Sequence, residues 1–183
     1  INGNELAALN ASRQFEPAST MKTLHHVHAF RRVMLGAVSL ATNIPVFTAT
    51  SGSCPVDNNQ VIEDLTVVLR DMMENSDNNR TQAITAFFGE ANINATAAAL
   101  AMASTSLDHR IGCAGAAIAD PNDLTLRDLG RLHTAVANGW LGGWRDEFYE
   151  HMLNSITWGG ISTVIDEEAA SLGVSNTAVT SFK

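Results

Sequence analysis

The sequence predicts an α+β domain that is mainly helical, with strand candidates only at its two ends. Apolar residues recur at helical spacing over residues 61–73, and a capping signal precedes a second periodic run near residue 125. Extended segments suggest themselves only at about residues 4–10 and 177–183. At 183 residues and 45% apolar, the chain can bury one ordinary core, so residues 1–183 read as a single domain with its helical part over about 19–160.

The elements follow in order. Asn4 to Asn10 reads as a short strand, and Pro17 closes a turn that leads into a helix from about Thr20 to Leu40. Ser19 stands at the N-cap or in the first turn of that helix. A loop around Thr50–Pro55 precedes an amphipathic helix carrying Val61, Ile62, Leu65, Val68, Leu69, Met72 and Met73 on one face. It stops at Asn75-Ser76-Asp77-Asn78. Short helices are expected over 81–88 and 94–103, then a long loop over 107–124 that lacks a helical period. Thr125 with Asp128 makes a capping start for a helix turning Leu126, Leu129, Leu132 and Val136 inward and ending at Gly139. A last helix covers about 144–156.

Charge and length exclude several classes. The net charge of −8 argues against nucleic-acid and anionic-membrane surfaces, both of which need clustered Lys and Arg. The longest apolar stretch, from Val33 to Ala41, is far short of the roughly 20 residues that span a bilayer. The double arginine ahead of it imitates an export signal but lies inside the chain. Two cysteines, Cys54 and Cys113, sit in Gly/Pro-rich loops, which favours a bridge over two buried thiols. Such a bridge would contribute about 4 kcal/mol and imply an exported, periplasmic or cell-envelope protein.

Chemistry concentrates at Ser19-Thr20-Met21-Lys22, which sets a hydroxyl and an amine one helical turn apart. A serine hydroxyl attacks a carbonyl only when something takes its proton, and a lysine can do so only when neutral. Burial or a neighbouring cation lowers its pKa towards that state. The helix N-terminus would also offer N–H groups to an oxyanion. The spacing alone is weak, since the chain has 13 serines, but Lys22 and Lys183 are its only lysines, so lysine is not the generic surface cation here. Ser76-Asp77-Asn78 is the second element. A second serine can relay a proton to a leaving nitrogen, and an asparagine amide can hold a substrate carbonyl.

Pro17-Ala18-Ser19-Thr20-Met21-Lys22 followed by Ser76-Asp77-Asn78 resembles the first two motifs of class A β-lactamases and related D,D-peptidases, the serine β-lactamase and penicillin-binding protein superfamily. The flanking stretches Glu5 to Asn10, Met72 to Asn75 and Thr125 to Leu129 are similar too, so the likeness runs through nearly the whole chain. It implies an all-helical subdomain packed on an antiparallel sheet formed by the chain termini. It also implies a serine acyl-hydrolase without a cofactor, acting on a β-lactam or a peptidoglycan-type peptide. Ser19 would be the nucleophile, Lys22 its proton acceptor and Ser76 a proton relay. Asn78 would hold substrate, and Asp77 would support the turn.

Two departures bear on activity. The family's third motif is Lys-Thr-Gly or Lys-Ser-Gly on a sheet strand, and the chain ends at Lys183 near the matching place. Lys183 therefore reads as the first residue of that motif and a substrate-binding cation, in a chain that is a fragment or part of a longer protein with an incomplete sheet. Class A enzymes also carry a glutamate that activates the deacylating water. Here residues 111–118 hold no carboxylate, and Asp108, Asp120 and Asp123 do not fall in the expected place. Acylation would survive that loss and rapid release would not, which leans towards a slow β-lactamase, a D-alanyl-D-alanine peptidase or esterase, or a penicillin-binding or sensor module.

The other polar residues read as structural. His25, His26 and His28 have no acid or thiol to complete a metal site, so no metal is expected. His109, His133 and His151 are scattered. Trp140, Trp144 and Trp158 read as core and rim, the acids at 166–168 as a solvated helix start, and Ser12 has no base beside it.

Overall fold

Nine consecutive residues of one helix, Lys22 to Phe30, are all buried, which requires neighbours on every side. The computed structural model describes residues 8–48, 59–111 and 120–155, and the backbone of 50–51 and 54–55. In it α1 (Lys22–Met34) is packed by α2 (Leu65–Glu74), α3 (Asn78–Phe88), α4 (Glu90–Ala99) and α6 (Arg145–Leu153). The remaining helix, α5 (Leu126–Ala137), adds Leu132 and Val136 to the core. A 3₁₀ turn, Ala18–Met21, feeds α1.

The first helix ends earlier than its hydrophobicity indicates. Gly36, at φ +70°, donates to the Val33 carbonyl, and the Ala37 N–H reaches back to Arg32. This pair of bonds is a Schellman closure, which needs a left-handed residue that glycine supplies without strain. The run to residue 40 is therefore cut at Met34.

Strands are not confined to the termini. β1 (Asn43–Phe47) pairs antiparallel with β4 (Gln60–Asp64), Pro45 standing opposite Ile62, while β2 (Thr50–Ser51) and β3 (Cys54–Pro55) form a two-residue ladder. Ile44 and Val46 are fully buried, and β1 lies on α3. Pro45 removes a donor, which a two-stranded sheet tolerates because both strands are edges. Val61 and Ile62, expected on an amphipathic helix, belong to β4 and are 40% and 61% exposed. Helical spacing resumes only at Leu65, with Leu65, Val68, Leu69 and Met72 all at 0% exposure. The first N–H groups of α2 bond to the Thr42 and Leu40 carbonyls, so the strand crossing fixes where the helix begins.

Of the strand expected at 4–10, residues 8–10 are described, and they form a bend with Asn10 at φ +53°. The candidate at 177–183 lies outside the described residues. The helices expected over 81–88 and 94–103 begin earlier, at Asn78 and Glu90. Thr125 caps α5 by accepting the Asp128 N–H at 3.1 Å. Leu126 faces out at 55% exposure, because six residues before Leu132 it lies well off the buried face. Asp128, 1% exposed, is held by Ser104 N, Thr105 Oγ1 and Arg131 Nη1 at 2.8, 3.0 and 2.8 Å.

Gly36→Ala places a Cβ in a left-handed conformation with no neighbour to clash with. Urea unfolding should register a loss of about 1 kcal/mol; an unchanged midpoint would show that the closure does not terminate α1.

Candidate functional site

The site assembles where the start of α1 meets the start of α3. Pro17 is buried and sets the 3₁₀ turn, whose Ser19 is exposed. One turn on, Lys22 is only 2% exposed. Its Nζ lies 3.1 Å from Ser19 Oγ, 2.9 Å from Ser76 Oγ, 2.5 Å from the Ser76 carbonyl oxygen and 2.8 Å from Asn78 Oδ1. The structure thus brings Ser19, Lys22, Ser76 and Asn78 together across 54 to 56 residues of sequence. Two non-glycine residues of the site are left-handed, Ala18 at φ +45° and Ser76 at +54°. Such conformations cost on the order of 1–3 kcal/mol and persist only where surrounding contacts impose them.

Counting protons defines what the amine can do. The Ser76 carbonyl and Asn78 Oδ1 accept only, so they take two N–H bonds in either protonation state. The remaining directions face hydroxyls, which both donate and accept. A third ammonium proton can therefore be exchanged for a lone pair facing a hydroxyl without breaking the two carbonyl bonds. Burial pushes the Lys22 amine down from 10.5 to about 8, against the charge of Asp77, which pulls it up.

Asp77 sits at the N-cap of α3, its Oδ1 accepting the Arg80 N–H at 2.8 Å. Arg80 returns a bond to Asp77 Oδ2 at 3.1 Å and grips Glu63 with two nitrogens at 2.9 and 2.5 Å. Sequence reasoning missed this arginine, although its position three residues after a capping aspartate was the available signal.

Histidines tie α1 to three of its neighbours. Because the Met21 carbonyl only accepts, His25 Nδ1 donates to it at 3.0 Å and Nε2 becomes an acceptor for the Thr85 hydroxyl at 3.0 Å. Burial lowers the His25 pKa to about 4. His26 stacks on Phe148 at 4.7 Å and shares a proton with His151 across 3.0 Å, while His28 meets Thr96 at 2.7 Å. Among the described residues no group of acids, histidines and cysteines is arranged to hold a metal.

The neck of the long loop is fastened beside the segment that carries Ser19. Phe15 pairs with Leu124 and Ser106 with Asp123. Buried Asn122 accepts the Asp108 and His109 N–H groups at 2.8 and 3.0 Å, and His109 Nε2 lies 3.4 Å from Glu16. Glu16, three residues before Ser19, is a further residue the sequence did not single out. Ser12 accepts from Arg127 at 3.0 Å. Cys54 lies on β3. Its side chain, Cys113, Trp158, residues 112–119 and Lys183 lie outside the described residues, and the expected bridge with them. No helix among the described residues is long and apolar enough to cross a membrane.

Comparison with known proteins gives the class. A β-lactamase from Sphaerobacter thermophilus superposes at a TM-score of 0.73 with 20% identity, over 85% of this chain and 61% of its own. A PBP-A variant solved as an acyl-enzyme with penicillin G gives 0.71 and 22%, over 81% and 58%. The D-alanyl-D-alanine carboxypeptidase DacD from Francisella tularensis gives 0.65 and 20%, over 82% and 37%. The fold is therefore that of β-lactamases and D,D-peptidases, with part of a sheet among the described residues, and the chain spans about three fifths of the first of these relatives. No curated protein matches the sequence. A model of the β-lactamase enzyme family matches residues 1–168, and the chain belongs to that family.

Thr85→Val removes the hydroxyl whose proton His25 Nε2 accepts. Leaving that buried nitrogen unmet should lower unfolding stability by about 1–3 kcal/mol in a urea titration; a neutral result would refute the helix-tying role.

Proposed function

We propose that this chain carries the nucleophile of a serine acyl-hydrolase that opens β-lactams or related amide and ester bonds through a covalent Ser19 ester. The observation that carries this reading is an exposed hydroxyl 3.1 Å from a buried amine whose pKa is lowered to about 8. Ser19 Oγ attacks the carbonyl carbon as its proton passes to the Lys22 lone pair, and the C–O bond forms while the carbonyl electrons move to oxygen. Collapse of that oxyanion breaks the C–N bond. Ser76, 2.9 Å from Nζ, gives its proton to the leaving nitrogen and is reprotonated by Lys22, so the amine ends neutral. Asn78 spends Oδ1 on Lys22 and keeps its NH₂ for a substrate carbonyl.

Asp77 is assigned to holding the turn and Lys183 to anchoring the substrate's anionic group. An exported or cell-envelope location, with Cys54 and Cys113 bridged, accompanies this reading. The carboxylate-free stretch at 111–118 favours slow release of the acyl group, as in a penicillin-binding protein or D,D-peptidase, over rapid turnover. The PBP-A variant solved as an acyl-enzyme with penicillin G supports the covalent ester itself.

Incubation with penicillin G followed by intact mass should give a single adduct on Ser19 that outlasts the mixing time by minutes. Ser19→Ala should abolish it, and Lys22→Ala should slow its formation by about 10²–10⁴-fold. No adduct in the wild type, or one retained in Ser19→Ala, rules the reading out; an adduct lost within seconds rules out slow release.

A further inference from the structure

Arg80 is the cation at the centre of a cluster of acids beside the site. Its guanidinium clasps Glu63 of β4 with Nε and Nη2, reaches Asp77 with Nη1 at 3.1 Å, and has Nε 3.4 Å from Asp71 of α2. All four side chains are only 16–28% exposed, so screening by water is incomplete. Three carboxylates thus surround Arg80, and Asp77 is also the carboxylate whose charge reaches Lys22.

Left to itself, that carboxylate would tighten the hold of Lys22 on its proton, because an opposite charge nearby favours the ammonium. A lysine serving as proton acceptor requires the reverse. The aspartate cannot simply be dispensed with, since its Oδ1 caps α3 directly after left-handed Ser76. A guanidinium bound to its other oxygen reconciles the two demands.

We propose that Arg80 is a positioning residue for the chemistry of Ser19: by pairing with Asp77 it offsets the charge that would hold a proton on Lys22, and it fixes the turn presenting Ser76 and Asn78 to that amine. The catalytic consequence rests on the acyl-transfer reading, but the electrostatic effect is testable without it. The charged groups around Arg80 are Glu63, Asp71 and Asp77, with Arg70 in turn 3.2 Å from Asp71. Lys22 faces Asp77 from α3 and, on its own helix, His25, which burial keeps neutral above about pH 4.

Having only two lysines makes the test direct, because ¹³Cε-lysine labelling gives one resonance each for Lys22 and Lys183, assigned with Lys22→Arg. Titrating the Lys22 resonance should show a midpoint about half a unit to one unit higher in Arg80→Gln, with Arg80→Lys in between. Asp77→Asn should lower the midpoint, and adding it to Arg80→Gln should cancel the rise. Glu63→Gln, which loosens the cluster but spares the Arg80–Asp77 pair, should leave the midpoint level or lower it. An unshifted midpoint in Arg80→Gln overturns the proposal, as does a rise that survives Asp77→Asn or an equal rise in Glu63→Gln. If Arg80→Gln does not fold, Asp77→Asn decides, and a midpoint it fails to lower overturns the proposal. Absence of a penicillin adduct in the wild type would count against the acyl-transfer reading alone.

Discussion

Everything at this site depends on keeping an amine out of water while its hydroxyl partner stays in it. Lys22 is nearly sealed, and an isolated ammonium there would be costly without partners. Four oxygens supply them, two of which only accept. The arrangement satisfies the amine with or without its third proton, so burial can lower its pKa without leaving a polar atom orphaned. Ser19 stands at the edge of this pocket, exposed because a 3₁₀ turn precedes the buried helix.

The geometry is imposed from both sides. α1 is enclosed by four helices, so Lys22 cannot swing away, and β1 packs on α3 while β4 runs straight into α2. The turn between α2 and α3 presents Ser76 in a left-handed conformation, its carbonyl and hydroxyl both reaching Nζ. Asp77, Arg80 and Glu63 join that turn to the sheet, and His25 with Thr85 joins α1 to α3. The left-handed turn at Ser76 is thus held by contacts that reach beyond the site.

Spacing foretold only that Ser19 and Lys22 would lie together, because a serine and a lysine one turn apart share a helix face; Ser76 and Asn78 came with the resemblance. Sequence reasoning also read the Thr125 cap and the apolar face of α2, both local properties. It failed where tertiary contacts decide. Val61 and Ile62 continue a helical pattern arithmetically, yet pairing with β1 makes them a strand, and Pro45 disguised that partner as a helix stop. Gly36 was a legible stop signal overruled by the apolar run around it. The grip of Arg80 on Glu63, the bond between His25 and Thr85 and the role of Asn122 were hidden for another reason. Their importance lies in partners 13 to 60 residues away, which no local pattern encodes.

The central claim, that Lys22 accepts the Ser19 proton, is tested most directly by the pH dependence of Ser19 acylation. The rate should climb as the amine loses its proton, with a midpoint at about 8. Lys22→Arg, whose guanidinium stays charged, should acylate far more slowly at every pH. A rate flat across about pH 6 to 9, or a Lys22→Arg variant as fast as the wild type, would contradict the account.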